Sequence, residues 1–129
     1  MLRGHPASLT RYARRSREGR PRMPKYLIIA SLTQEGIRGT LNEGGTSRRE
    51  AIRQATESLG GKLEAFYYAF GESDVYSIIE MPDNAAAAAA SMAVSAAGIS
   101  HNATVVLITP EEMDEVSKKN RQGYVPPRT

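Results

Sequence analysis

From Lys25 onward, short unbroken apolar runs alternate with stretches in which apolar residues recur every three or four positions, and glycine or proline marks most of the changes. Lys25–Thr33 (KYLIIASLT) is an apolar run of strand length that ends in polar residues, and it predicts a first strand. Gln34–Gly45 holds glycines at 36, 39, 44 and 45 and reads as a loop, with one helical turn near Ile37–Leu41. Ser47 and Glu50 form a capping box, after which Ile52, Ala55 and Leu59 share one helical face until Gly60 and Gly61 stop the helix.

Lys62–Phe70 and Ser73–Met81 are aromatic and β-branched segments flanking Gly71-Glu72, a pair that suits a type II′ hairpin. Pro82 closes the second arm, Asp83 can cap, and Asn84–Ala97 is a strong helix former ended by Gly98. Its alanines let a helix lie close on a sheet. Ser100–Thr109 predicts a fourth strand. Thr109, Pro110 and Glu112 then supply the cap, first residue and reciprocating acid of a short last helix, whose apolar contacts are Met113 and Val116. Asn120–Thr129, with Gly123, Pro126 and Pro127, reads as an irregular tail that Tyr124 is placed to pin.

The order β-α-β-β-α-β plus a terminal helix is the split βαβ pattern of an α+β, ferredoxin-like domain, here over residues 23–119. Both crossovers are helical, so both fall on one side of the four-stranded sheet. The other side is left bare. Four strands expose more apolar surface than a soluble monomer usually leaves in water, and the expected cover is a second copy in a homodimer.

Counting back from a two-residue turn pairs Ala69 with Asp74, Tyr67 with Tyr76, Ala65 with Ile78 and Leu63 with Glu80 on one face. The alternate face carries Phe66, Tyr68, Phe70, Val75, Ile79 and Met81 and suits the helix-packed core. Carboxylates mixed with two tyrosines and small alanines, on a face closed by a partner sheet, describe a small polar pocket. His101, in phase with Ala103, Val105 and Leu107, can line the same space. The ligand-binding candidates are therefore Asp74, Tyr67, Tyr76, Glu80 and His101. A plainer account stays open: Asp74 bonding the turn backbone, Glu80 at the rim, the tyrosines an ordinary cross-strand pair.

Composition narrows the chemistry. The 129 residues include no Cys, which excludes disulfides and thiolate sites and suits a reducing, cytoplasmic setting. His5 and His101 are the two histidines, too few for an imidazole metal cage, and no metal spacing or cofactor motif is present. The loop before the first helix lacks the Walker ending and the G-x-G-x-x-G spacing; Gly44-Gly45-Thr46-Ser47 with Arg48 and Arg49 can hold an anion, and helix capping explains the same residues. No apolar run approaches the roughly 20 residues that cross a bilayer.

The net charge of +3 is uneven: residues 1–22 carry seven arginines against Glu18, a net of +6, and the rest holds 10 basic against 13 acidic residues, a net of −3. A mildly acidic body offers no phosphate-neutralising face, so no nucleic-acid partner is expected. Three readings of residues 1–22 stay open: a coding start at Met23, a disordered basic tail, and an organellar transit peptide.

With the segments placed, Met23 to about Lys119 resembles the GYD domain family. The matching residues are Pro24-Lys25-Tyr26, Leu32-Thr33 with Gln34-Glu35-Gly36-Ile37-Arg38, Leu59-Gly60-Gly61-Lys62-Leu63, Phe66-Tyr67, Gly71-Glu72-x-Asp74-Val75 and Pro82-Asp83. Ser73 departs from the pattern, standing where the family has a Tyr. The resemblance implies a ferredoxin-like subunit that dimerises through its sheets as a dimeric α/β barrel, and it implies no established activity. The leading expectation is a homodimeric small-molecule-binding domain. The alternatives are a cofactor-light monooxygenase or isomerase using Asp74 or His101 for proton transfer, and a structural dimer or partner-binding module.

Overall fold

The computed structural model describes residues 23–123 and Pro127, so the expectations for residues 1–22 and for Tyr124 lie outside the described residues. The chain forms β1 (Lys25–Leu32), α1 (Gln34–Glu43), α2 (Gly45–Ser58), β2 (Lys62–Tyr68), β3 (Val75–Glu80), α3 (Asn84–Ala96), β4 (Ser100–Leu107) and α4 (Pro110–Gly123). One antiparallel sheet has the order β2-β3-β1-β4, the arrangement expected of a ferredoxin-like α+β fold. α2 lies against β2 and α3 against β4, and among the described residues no helix covers the far side of the sheet.

The core follows from strand alternation. Tyr26, Ile79, Met81 and Ala87 form a buried cluster, with Ile28, Leu63, Ala86 and Ala90 packed on it. Tyr26 brings a hydroxyl into this apolar space and donates it to Asn84 Oδ1 at 2.6 Å. Asp83 caps α3 as expected, its Oδ1 accepting from the Ala86 amide at 2.9 Å. The box at α4 also forms, the Glu112 amide donating to Thr109 Oγ1 at 3.0 Å and the Thr109 amide to Glu112 Oε1 at 2.8 Å. α4 runs on through Gly123, so Asn120–Gly123 is helical rather than tail, and it buries no residue.

Five local expectations differ from the structure. Residues 34–43 are a ten-residue helix, not a loop. Thr33 caps it by accepting from the Gly36 amide, and its own hydroxyl donates to Gly98 O at 2.7 Å. Gly36 allows α1 to touch the segment before β4, because a Cβ there would lie 2.3 Å from Ile99 O. α2 starts at Gly45 and has no side-chain cap; Gly44, at φ 94°, holds the N-cap position that a Ser47 box would have moved three residues on.

The hairpin is longer than two residues. Pairing stops at Tyr68 and resumes at Val75, with the Ala69 amide donating to Asp74 O at 2.8 Å. Gly71 is not among the positive-φ glycines, so no type II′ turn forms there, and Phe70 points fully into solvent instead of joining the core. Tyr67 does oppose Tyr76 and Ala65 does oppose Ile78, but a bulge between Leu63 and Ala65 pairs Leu63 with Ile79. The extra residue turns Leu63 to the helix side and Glu64 toward Lys25, whose Nζ donates to it.

Candidate functional site

On the open face, strand register sets the side chains in rows. Tyr67, Tyr76, Ile29 and Ala103 form one row, and Ala65, Ile78, Leu27 and Val105 the next. Tyr67 is 70% exposed and Tyr76 36%. The outer rows are polar at opposite ends of the strands. One carries Ser31 and His101, with Asp74 in the hairpin loop just before β3; the other carries Glu80 and Lys25. Tyr67, Tyr76, Glu80 and His101 thus share the open face, Asp74 lies at its hairpin end, and Glu80 sits at the end remote from Asp74 and His101.

Two of the five are already engaged. Asp74 Oδ2 accepts from the Leu32 amide at 2.7 Å, and the Asp74 amide donates to Ala30 O at 2.9 Å, so this residue ties the hairpin loop to the end of β1. The carboxylate reaches a neighbouring strand, not the turn backbone. Lys25 Nζ donates to Glu80 Oε2 at 3.0 Å and also to Glu64. The hydrogen bonds to Glu64 first, then Glu80, raise the Lys25 pKa above its ordinary value. His101 is exposed beside Ser31, on the edge strand.

A second concave region lies on the helix side, between α2, α3 and the sheet. It is a partly open cleft of about 90 Å³. Ile28, Ile79, Phe66 and Tyr68 line it from the sheet, Ile52 and Arg48 from α2, and Ala90 and Val94 from α3. The alanine-rich face of α3 leaves this room unfilled. Phe66 and Tyr68 meet edge to face, centroids 5.3 Å apart at 81°, and the Tyr68 hydroxyl donates to Gly45 O at 3.1 Å. Burial raises the Tyr68 pKa, and the nearby Arg48 and Arg49 charges oppose that shift. Ser77 is within this cleft and only 5% exposed. Its signal was readable: it interrupts the alternation Val75, Ile79, Met81 on the core face with a hydroxyl.

Residues 26–116 match the family model of the GYD domain, more than half of the chain. The chain belongs to the GYD domain family. No curated protein and no solved structure matches it. In this GYD domain the Gly71–Asp74 stretch lies in the hairpin loop, residues 69–74, and Asp74 fastens that loop to β1. Ser73, in the place of the family's Tyr, meets the Ser31 hydroxyl at 3.4 Å. Among the described residues no group of acidic or histidine side chains is arranged to hold a metal ion, and no helix is long and apolar enough to cross a membrane.

Proposed function

We propose that this GYD domain is a small-molecule-binding module that works as a homodimer, pairing through the open faces of its sheets. The observation that carries the reading is the open face itself: exposed Tyr67 and Tyr76 beside Leu27, Ile29, Ile78 and Val105, with polar rows at both ends. Four strands of six to eight residues present roughly 450 Å² to a partner at ordinary strand spacing and rise. Two such faces approach the roughly 1,000 Å² that a specific interface needs. Met113 and Val116 are likewise exposed, on α4, a helix with no buried residue. A ligand between the sheets would meet Tyr67, Tyr76, His101 and the free oxygen of Asp74.

A second reading, a dimer with a filled interior and no ligand, is favoured by the internal bonds that Asp74 and Glu80 already make. A catalytic role on this face would need His101 or Asp74 to carry a proton, and one Asp74 oxygen is committed to the Leu32 amide. Thermal-shift screening of the full chain against small phenols, quinols and keto acids tests the reading. An interfacial ligand stabilises the wild type and loses its effect in Tyr67→Asp, which puts a charge at the centre of the contact. Screening that finds no stabilising compound, or only compounds equally effective on Tyr67→Asp, refutes the interfacial site.

A further inference from the structure

The helix-side cleft carries an inference independent of dimerisation. Its apolar walls are ordinary core side chains, and most of its polar groups are spoken for. Asn102 Oδ1 accepts from Ser100 Oγ at 2.7 Å, Asn102 Nδ2 donates to Ser91 O at 3.1 Å, and Thr56 Oγ1 donates to Ile52 O at 2.8 Å. Ser77 is different. It is 5% exposed on the cleft floor, between Phe66 of β2 and Ile28 of β1, and its Oγ has no hydrogen-bond partner among the described residues. A buried hydroxyl without a partner is destabilising and rare enough to call for an occupant.

A second polar group faces the same space from the rim. Arg48 lines the cleft from the first turn of α2, with its side chain 22% exposed, and among the described residues its one ion pair is to Glu43 at 3.3 Å. That pair is surface-lying and weak, and most of the guanidinium's five donors remain for a carboxylate held side-on. The α2 N-terminus, uncapped by any side chain, lies beside it and adds positive potential. The cleft volume of about 90 Å³ accommodates about six to nine water-sized particles.

We propose that this cleft binds a small carboxylate with an aromatic body, its ring among Ile28, Ile52, Phe66 and Ile79 with the Ser77 hydroxyl directed at the ring face, and its head on Arg48. The occupant is of six to nine non-hydrogen atoms at about one atom per water-sized space. A ligand this small binds with a Kd on the order of a millimolar. Water alone in the cleft is the opposing outcome.

The test is an amide-resolved NMR titration of the full chain with benzoate, and with benzyl alcohol as the uncharged comparison. Benzoate is expected to shift the amides of Ile52, Ser77 and Ala90, and to do so equally in Tyr67→Asp, which separates this site from the interfacial one. Ala90→Leu, which fills the cleft from α3, is expected to abolish the shifts while keeping the native spectrum. Arg48→Gln, a rim change that spares the core, is expected to weaken benzoate about tenfold, the loss of one charge-assisted contact, and to leave benzyl alcohol unchanged. The proposal is overturned by an absence of shifts at about ten times the expected Kd, by shifts confined to open-face residues such as Ile29 and Ala103, or by equal weakening of both probes in Arg48→Gln.

Discussion

Replacing Gly36 by Ala sets two opposed effects against each other, and the structure decides between them. In an exposed helix the change stabilises by about 0.5–1 kcal/mol, because glycine surrenders more backbone freedom than alanine. In α1 the added Cβ would lie 2.3 Å from Ile99 O and 3.2 Å from Ile99 C, both backbone atoms that cannot swing aside. Relief requires α1 to back away by most of an ångström. That movement strains the bonds that hold its start: the Thr33 amide to Ile99 O at 2.9 Å and the Thr33 hydroxyl to Gly98 O at 2.7 Å. Losing one or two such bonds costs about 0.5–1.5 kcal/mol each, and overpacking adds about 1–3 kcal/mol. Set against the gain from alanine, the net expectation is a destabilisation of about 1–5 kcal/mol. Gly39 is the internal control. A Cβ there meets only Arg48 Nη1 at 3.9 Å, so Gly39→Ala should stabilise by about 0.5–1 kcal/mol. Urea unfolding followed by circular dichroism measures both. A Gly36→Ala protein as stable as Gly39→Ala would refute the close approach of α1 to Ile99.

Asp74→Ala leaves the Leu32 amide without its acceptor and should destabilise by about 1–3 kcal/mol, while Asp74→Asn, which keeps an acceptor oxygen, should recover most of the loss in the same unfolding assay. Ser77→Ala removes an unpartnered hydroxyl and should leave the apo protein at least as stable, with a rise of up to about 1 kcal/mol; a clear drop would mean that the hydroxyl has a partner in the folded chain. The pKa values of Lys25, Tyr26 and Tyr68 are all raised, by hydrogen bonds to Glu64 and Glu80 for the first and by burial for the tyrosines. A raised folded pKa gives stability that is complete below the unfolded value and lost as pH rises through the folded one, so the melting temperature should begin to fall near pH 10 and above. A flat profile from pH 9 to the alkaline limit would contradict these surroundings.

What was legible in the sequence was local. The first strand, the Asp83 cap, the Gly98 stop and the Thr109, Pro110, Glu112 box each depend on residues within a turn of one another, and each forms. The face shared by Tyr67, Tyr76 and Ile78 follows from a two-residue period and survives the longer loop, because Ala69 and Asp74 remain opposite one another. The misses are tertiary. α1 carries two glycines that lower its intrinsic propensity, and it is held by Thr33 and by contact with Ile99, far along the chain. The bulge at Glu64 draws on Lys25 across the sheet, which no local pattern announces. Phe70 looked like core because aromatics usually are, but β2 stops pairing two residues before it. The cleft has no sequence motif, because it is a gap between α2 and α3 left by small alanine side chains.

Sedimentation velocity of the full chain, from about 1 to 100 µM, a range that brackets the micromolar affinity of weak specific interfaces, is the most direct measurement of the central claim that the open face meets its own copy. The account predicts a reversible dimer for the wild type, and for Tyr67→Asp a folded monomer with a dissociation constant raised at least about tenfold. A folded wild-type monomer throughout that range, or a dimer indifferent to Tyr67→Asp, would contradict it.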